Sequence, residues 1–272
     1  TPIEAKRREA KRYISGSPQY EDVEALEYFE WYVDRDTDSL TLRRDGRRVE
    51  CGIHPRSSVP PMQTEPRPDP IAELDGGVYY VDLTRAPWSR VRETMNRLAQ
   101  ARGVVFDMRG YPENGNGGSV QVVQHLAQDT VRAAPAQIPQ LIYPDQDSLV
   151  GYDSYRFTLA PNPPTIDGPV VFLTDARAIS AAERLMGIVK HYDLATIVGQ
   201  PTAGANGAVN PTDLIGNYQV IWTGQRVRKH DSSQHHLVGI RPDVPVERTI
   251  DGVRNGRDEV LEAAQQVLKQ LP

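Results

Sequence analysis

The segment VVFLTDARAISAAERLMGIVKHY (residues 170–192) combines an apolar strand, a short turn and an amphipathic stretch. Four apolar side chains recur in it at the spacing of one helix face, namely Ala182, Leu185, Met186 and Val189. This spacing predicts a helix over residues 180–192 that buries one face. An apolar strand that leads directly into such a helix indicates an α/β protein with a mainly parallel sheet.

Ser180 stands at the start of this predicted helix, where backbone N–H groups lack partners and the helix end is positive. Such surroundings favour an acyl-transfer nucleophile, so Ser180 is the candidate catalytic residue. The same residues also read Ser180-Ala181-Ala182-Glu183, a capping-box pattern. In that alternative, the serine oxygen and the Glu183 carboxylate only accept hydrogen bonds from backbone N–H groups. Local sequence leaves both interpretations open.

Composition narrows the class of protein. The chain has 272 residues, 39% of them hydrophobic, and a net charge of −5, which indicates a globular protein without the clustered positive charge that binds nucleic acid. Its one cysteine, Cys51, excludes an intramolecular disulfide and a cysteine-rich zinc site. No apolar run reaches the ~18 residues needed to span a bilayer, so we predict no transmembrane segment.

Three regions are predicted along the chain. Residues 1–60 hold N-terminal helices and a hairpin at 39–53 that turns at Asp45-Gly46. Residues 61–75 form a proline-rich linker, and residues 76–272 form the core of alternating strands and helices. Within the core, a further helix is predicted over 118–128, whereas 135–169 is interpreted as a proline-rich excursion.

The loop DMRGYPENGNGG (residues 107–118) follows an apolar strand and contains four glycines. Its backbone N–H groups are suited to an anion, either a phosphate or an oxyanion. The loop matches neither G-x-x-x-x-G-K-[ST] nor G-x-G-x-x-G, so nucleotide binding is not favoured. The alternative is a tight turn whose glycines only supply positive φ angles.

Three of the six histidines, His230, His235 and His236, fall within seven residues of one polar loop. One interpretation is a general base for Ser180. A second is a metal site that also uses Asp231, although no HExxH-like spacing is present. A third is a polar surface loop. We predict no metal and no cofactor.

Four motifs in this order resemble the tail-specific, or C-terminal processing, serine peptidases and the related tricorn protease. The motifs are Phe106-Asp107-Met108-Arg109-Gly110, Leu173-Thr174 leading to Ser180-Ala181-Ala182-Glu183, Ile197-Val198-Gly199-Gln200-Pro201-Thr202-Ala203-Gly204, and Gly239-Ile240-Arg241-Pro242-Asp243-Val244-Pro245-Val246. The resemblance covers about residues 76–265. The order and spacing of the motifs are more specific than any one motif.

The resemblance implies a crotonase-like spiral of strand–strand–helix units, with the hairpin at 39–53 as a remnant of a PDZ-type module. It implies endopeptidase cleavage of unfolded or C-terminal peptide segments, with Ser180 as nucleophile. The N–H groups of Ala181 and Gly110 would form the oxyanion hole, the same role that the glycine-rich loop suggests.

The sequence departs from the family at the general base. In tail-specific peptidases a lysine follows the Pro-Thr segment as Gly-Lys, and here that place reads Gly204-Ala205-Asn206-Gly207. The tricorn-like branch uses a histidine before the first core strand, and residues 68–77 contain none. The candidate bases are therefore His236 first and His230 second, with Asp231 or Glu183 orienting the imidazole.

The sequence thus predicts a serine endopeptidase, or a remnant of one, that acts on peptide or unfolded protein substrates. The alternative is a non-catalytic ligand- or peptide-binding protein on the same fold. Family resemblance favours a periplasmic or extracellular location and leaves oligomerisation open. Because the N-terminal segment TPIEAKRREAKRY resembles neither a natural start nor a signal peptide, we expect a fragment of a longer chain.

Overall fold

The computed structural model describes residues 8, 11–13, 16–27, 39–52, 65–112, 118–141 and 149–271. It divides into two compact units. One contains the described residues up to Glu65 except 16–20, and the other contains residues 16–20 together with those from Pro66 onward. The predicted hairpin lies in the first unit, and every candidate site residue lies in the second.

The strands within the described residues have the following bounds: β1 (Ser39–Arg44), β2 (Arg47–Gly52), β3 (Ile71–Leu74), β4 (Val78–Asp82), β5 (Gly103–Met108), β6 (Val131–Arg132), β7 (Ala136–Leu141), β8 (Leu149–Tyr155), β9 (Thr158–Leu159), β10 (Val170–Thr174), β11 (Thr196–Gly199), β12 (Val209–Leu214), β13 (Tyr218–Thr223), β14 (Arg226–Val227) and β15 (Val244–Pro245). The α-helices are α1 (Pro18–Glu27), α2 (Trp88–Leu98), α3 (Ala181–His191), α4 (Ile250–Arg254) and α5 (Glu259–Gln270). Short 3₁₀ helices cover Lys11–Tyr13 and Ser119–His125.

The predicted hairpin is confirmed in the first unit. Strands β1 and β2 pair antiparallel from Ser39 with Gly52 to Arg44 with Arg47. Asp45 and Gly46 connect them with φ angles of 51° and 77°. Positive φ at both central residues is the type I′ geometry that Asp-Gly favours, because its twist matches that of the two strands.

A six-stranded sheet in the order β15-β11-β10-β5-β4-β3 is the centre of the second unit. All neighbours in it are parallel except β3 and β4, which form an antiparallel edge. Every residue of β5 and β10 is buried, as expected for parallel strands that are covered on both faces. The predicted mixed α/β architecture with a mainly parallel sheet is therefore confirmed.

Alternate residues of the central strands divide between two apolar clusters, one on each face of the sheet. Helices α2 and α3 cover one face, where Leu185 and Met186 belong to the same cluster as Phe106 and Phe172. Helix α5 covers the other face, where Leu268 belongs to the same cluster as Tyr80, Val105 and Val171. This two-sided burial fixes the register of the sheet, and with it the positions of the loops at the strand ends.

Two elements differ from the prediction. The helix predicted over 118–128 is present as a shorter 3₁₀ helix over Ser119–His125. The proline-rich excursion 135–169 contains strands β7 and β8, and β7 pairs with both β8 and β14 although it contains Pro139. Its pairing with β8 shifts register between Gln140 and Leu141. These strands were not predicted because the region is rich in proline, which is typical of strand edges and loops.

In the described part of the chain, no helix is long and apolar enough to cross a membrane. Likewise, no group of three or more His, Cys, Asp or Glu residues there is arranged to hold a metal ion.

Candidate active site

Ser180 lies immediately before α3 in an unusual backbone conformation, with φ 55° and ψ −105°. Its N–H donates to the carbonyl oxygen of Ala205 at 3.0 Å, and its own carbonyl accepts from the N–H of Arg184 at 3.0 Å. A non-glycine residue with positive φ costs free energy, and such strain is concentrated at functional sites. A serine on a strained strand-to-helix turn is the arrangement of a nucleophile elbow.

The turn before Ser180 is fixed by local hydrogen bonds. β10 ends at Thr174, and the Asp175 carboxylate then accepts from the backbone N–H of Arg177 at 2.9 Å. The carbonyl of Asp175 accepts from the N–H of Ala178 at 3.1 Å. Ser180 thereby follows the carboxyl end of a central parallel strand, which is where open α/β sheets place their ligands.

The capping box that the sequence allowed is not formed. The Ser180 side chain makes no capping hydrogen bond to α3. Glu183 does not accept from the Ser180 N–H, because that group donates to Ala205. The Ser180 hydroxyl is therefore not used to cap the helix. A serine can act as a nucleophile only if its hydroxyl is not committed to such a cap.

Glu183 is a buried hub, only 1% exposed. Its Oε1 accepts from Thr202 Oγ1 at 2.6 Å and from the Gly204 N–H at 2.7 Å, and its Oε2 accepts from the Ala205 N–H at 3.0 Å. A carboxylate this deep in the protein is stable only when such donors replace water. Glu183 therefore ties the first turn of α3 to the segment that receives the Ser180 N–H.

The structure brings His235, rather than His230 or His236, to Glu183. His235 is buried, and its Nε2 lies 3.2 Å from Glu183 Oε2. This approach lacks hydrogen-bond geometry, since Nε2 has no hydrogen-bond partner among the described residues. We treat it as an electrostatic contact, because distance alone does not make a hydrogen bond.

The other two histidines have different surroundings. His230 stacks on the His191 ring at a centroid distance of 4.0 Å, and its Nε2 lies 2.8 Å from the carbonyl oxygen of Arg132. Burial is the main reason that the pKa of His230 falls below 6.5, which favours a neutral ring at neutral pH. His236 is exposed, and its backbone carbonyl accepts from Gln234 Nε2 at 2.7 Å.

The two predicted oxyanion donors differ in what they contact. Ala181 is the first residue of α3, where N–H groups have no partner within the helix. The Gly110 N–H donates to the Met108 carbonyl oxygen at 3.0 Å, with a Gly110 φ of 139°. At this φ a side chain would be strained, so glycine is required for the bend.

An ion network holds the end of β5 just before Gly110. Asp107 and Arg109 are both buried, with Arg109 Nη2 2.6 Å from Asp107 Oδ2 and 2.7 Å from Asp258 Oδ2. Tyr80 donates its hydroxyl to Asp107 at 2.7 Å. Burial alone would raise the pKa of Asp107, but the Arg109 guanidinium outweighs it and lowers that pKa from 3.8.

We expect this network to make the protein sensitive to acid. Because the pKa of Asp107 is lower in the folded state, its stabilising contribution is complete above the unfolded pKa of about 4 and is lost as pH falls through the folded pKa. Urea unfolding between pH 3 and 7 should therefore show decreasing stability toward acid. The Asp107→Asn variant should be less stable at pH 7 and lose part of that slope. An unchanged slope would contradict this role of Asp107.

The segment Gly204-Ala205-Asn206-Gly207 supplies two of the donors that hold Glu183. Gly204 and Ala205 donate their N–H groups to it, and Gly204 has a φ of 69°. A Cβ at Gly204 would lie 2.8 Å from the Val238 N atom, so a larger residue does not fit without movement. The residue that follows Gly204 is Ala205, and not a lysine.

A cavity of ≈ 290 Å³ lies along one face of α3, lined on the helix by Glu183, Arg184, Gly187, Lys190 and His191. These positions continue the helix face that begins at Ser180, because side chains three and four residues apart share a face. The lining also includes His230, His235 and the half-buried Arg228 and Lys229.

Sequence reasoning missed three parts of this site. The strained backbone of Ser180 could not be predicted from the sequence, because serine seldom adopts a positive φ. The contact between Glu183 and His235 depends on the path of a long loop. The basic lining of the cavity had one available signal, the run Arg226-Val227-Arg228-Lys229 next to the three histidines.

A parallel α/β sheet and a strained serine that follows the carboxyl end of a central strand are features found in serine hydrolases. The model of peptidase family S41 matches residues 77–246. The chain belongs to this family, and the sequence-based resemblance to tail-specific and tricorn-type peptidases is confirmed at that level. No curated protein matches the chain.

Solved structures show the same fold at low sequence identity. A putative peptidase from Parabacteroides merdae is 21% identical with a TM-score of 0.60, and the match covers 73% of this chain and 63% of that one. Mature CPAF is 14% identical with a TM-score of 0.68, covering 96% of this chain and 74% of that one. The chain thus spans less than two thirds of the Parabacteroides protein.

Proposed function

We propose that this protein is a serine endopeptidase that cleaves unfolded or C-terminal peptide segments through an acyl-enzyme at Ser180. The observation that carries the proposal is the Ser180 conformation, with φ 55°, ψ −105° and a hydroxyl not used for capping. Membership of peptidase family S41 supports a peptide substrate. A strained residue is retained where function requires it.

In this mechanism Ser180 Oγ attacks the scissile carbonyl while a general base takes its proton. The developing oxyanion accepts from the N–H groups of Ala181 and Gly110. The base then protonates the leaving amine, and water hydrolyses the acyl-enzyme. The Gly110 N–H must leave its bond to Met108 O to take part, since an oxyanion donor must point at the position where the charge develops.

The candidate bases are His236 and His230, with Glu183 or Asp231 as orienting carboxylate. The contact of His235 with Glu183 adds that histidine to the candidates. Hydrogen bonds between a serine and its base often tighten only when substrate binds. The base is therefore best identified by titration and substitution.

The finer family features belong to the same proposal. We infer a crotonase-like spiral for the core over 76–272, and a PDZ-type remnant in 1–60 of which β1 and β2 are the last strands. The predicted linker over 61–75 is inferred only for the part that precedes β3, because Ile71–Leu74 belongs to the central sheet. We also infer a periplasmic or extracellular location. The support for these inferences is the resemblance of the motifs and the shared fold.

A second candidate function is non-catalytic peptide or ligand binding on this fold. The observation that favours it is that Gly204 and Ala205 hold Glu183 at the place where the family resemblance implies a lysine. Serine without an activated base is a poor nucleophile. The cavity along α3 would then be the binding site.

A serine-directed fluorophosphonate separates the two functions. If Ser180 is the nucleophile, we expect covalent labelling of Ser180, located by peptide mass spectrometry, with a rate that rises through a histidine-like pKa near ~6.5 or lower. The variants His230→Gln, His235→Gln and His236→Gln should include one that slows labelling by about 10² or more. Absence of labelling at every pH, in protein shown to be folded by circular dichroism, would refute the peptidase function and leave the binding function as the remaining candidate.

A further inference from the structure

The cavity along α3 begins within one helical turn of Ser180. Its lining includes Glu183 and Arg184 on the first turn of that helix, and Asn206 and Gly207 on the opposite segment. Ala205, the neighbour of Asn206, accepts the Ser180 N–H at 3.0 Å. A helix rises ~1.5 Å per residue, so a peptide held at Ser180 lies within one side-chain length of this cavity.

Three half-buried cations line the cavity without an ion-pair partner in the described part of the chain: Arg184, Arg228 and Lys229. Arg184 lies 5.6 Å from the centroid of the Phe157 ring, and Arg228 Nη1 donates to the Ser232 carbonyl oxygen at 2.8 Å. Neither contact neutralises a charge. The fourth lining cation, Lys190, pairs with Asp243.

The two acidic residues of the lining do not cancel this positive charge. Glu183 is surrounded by donors from Thr202, Gly204 and Ala205. Asp231 is exposed and accepts from the Ser233 N–H at 2.9 Å. The four lining cations, Arg184, Lys190, Arg228 and Lys229, outnumber the two carboxylates, so the net formal charge of the lining is positive. Charges in a cavity are screened less than those in open water.

Burial in the cavity wall destabilises the charged form of Lys229. Partial burial is the largest cause that lowers the pKa of its ammonium group, Asp231 acts in the opposite direction, and Arg241 lowers it further. Glu183 also favours the charged form, but burial outweighs the attraction of both carboxylates. An incoming anion would therefore stabilise the charged form of Lys229 further.

We propose that this cavity is the subsite for an acidic side chain of the peptide substrate, with Arg184, Arg228 and Lys229 as the groups that recognise it. The inference rests on the proposed peptidase function and specifies its substrate class. Arginine offers two parallel N–H donors to a carboxylate, and lysine adds a compact charge. A glutamate side chain within a few residues of the scissile bond is long enough to enter from Ser180.

Binding to the Ser180→Ala variant tests this proposal without requiring catalysis. The probes are fluorescent, C-terminally amidated peptides of neutral sequence in which a single Glu, or Gln as its neutral match, is moved one position at a time. We expect Glu at one or two adjacent positions to bind about tenfold or more tightly than Gln, as charged hydrogen bonds do. The preference should be lost in an Arg228→Gln/Lys229→Gln double variant and kept in Arg92→Gln, which removes an exposed cation of α2.

Each other result has a definite meaning. Equal binding of Glu and Gln peptides at all positions, or a preference that survives in the double variant, would overturn the proposal. The Lys229→Gln single variant, which removes a desolvated charge, serves if the double variant does not fold. If the peptides bind only when their C-terminal carboxylate is free, the site recognises that carboxylate and not an acidic side chain. If inorganic phosphate alone binds in the cavity, the site is assigned to phosphate instead. A Glu preference in binding without hydrolysis by the unsubstituted protein would refute the peptidase function and leave the subsite intact.

Discussion

Replacing Ser180 with alanine is expected to slow peptide hydrolysis by at least about 10³-fold, since removal of a serine nucleophile leaves only the oxyanion hole and binding to act. The glycine variant should be equally inactive. The two variants differ in stability. Alanine keeps the strain of a φ of 55°, which costs of order 1–3 kcal/mol, whereas glycine relieves it and loses about 0.5–1 kcal/mol to backbone entropy.

We therefore expect Ser180→Gly to be more stable than Ser180→Ala by about 1 kcal/mol, measured by urea unfolding. The rate is measured with a quenched fluorescent peptide. Hydrolysis that persists in both variants would place the nucleophile elsewhere. Equal stability of the two variants would mean that the turn relaxes and that Ser180 is not strained in solution.

Replacing Glu183 with alanine is expected to reduce the free energy of unfolding by about 3–5 kcal/mol. The substitution removes a buried acceptor and leaves the hydroxyl of Thr202 and the N–H groups of Gly204 and Ala205 without their partner. It also releases the segment that receives the Ser180 N–H. Labelling of Ser180 should therefore fall even under conditions where the variant remains folded.

Two matched variants make the Glu183 prediction specific. Glu183→Gln keeps one acceptor oxygen but turns an NH₂ group toward backbone donors, so we expect an intermediate loss of about 1.5–3 kcal/mol. Glu93→Ala removes an exposed glutamate of α2 that lies 3.8 Å from Arg90, and should change stability by less than ~0.5 kcal/mol. Similar effects of Glu183→Ala and Glu93→Ala would refute the role of Glu183 as a hub.

The sequence predicts the central sheet well because its signals are local and redundant. β5, β10 and α3 each have a continuous or periodic apolar pattern, and Asp45-Gly46 has the residue types of a type I′ turn. The pattern does not predict β7 and β8. Pro139 lies in β7, and β7 nevertheless pairs with β8. Residues 118–128 have helical spacing, but the segment there closes as a 3₁₀ helix over Ser119–His125.

The candidate site is predicted in its residues more than in its geometry. Ser180 and Glu183 were identified from spacing and from the family resemblance. Their relation was not predictable, because Glu183 turns away from the Ser180 N–H to accept from residues 19, 21 and 22 positions later. Which histidine reaches Glu183 depends on the path of a loop that no periodic pattern describes.

The contacts of Glu183 also have a consequence for when the site can form. The carboxylate joins α3 to Thr202, Gly204 and Ala205, and Thr202 Oγ1 in turn accepts from the Ile240 N–H at 2.7 Å. These partners are remote along the chain, so the loop-closure entropy must be overcome before any of them stabilises the turn at Ser180. We therefore expect the Gly204 and Ala205 amides to exchange hydrogen only on global unfolding. A chain still being synthesised, or partly unfolded, would then lack the turn at Ser180 on which the proposed peptidase function depends.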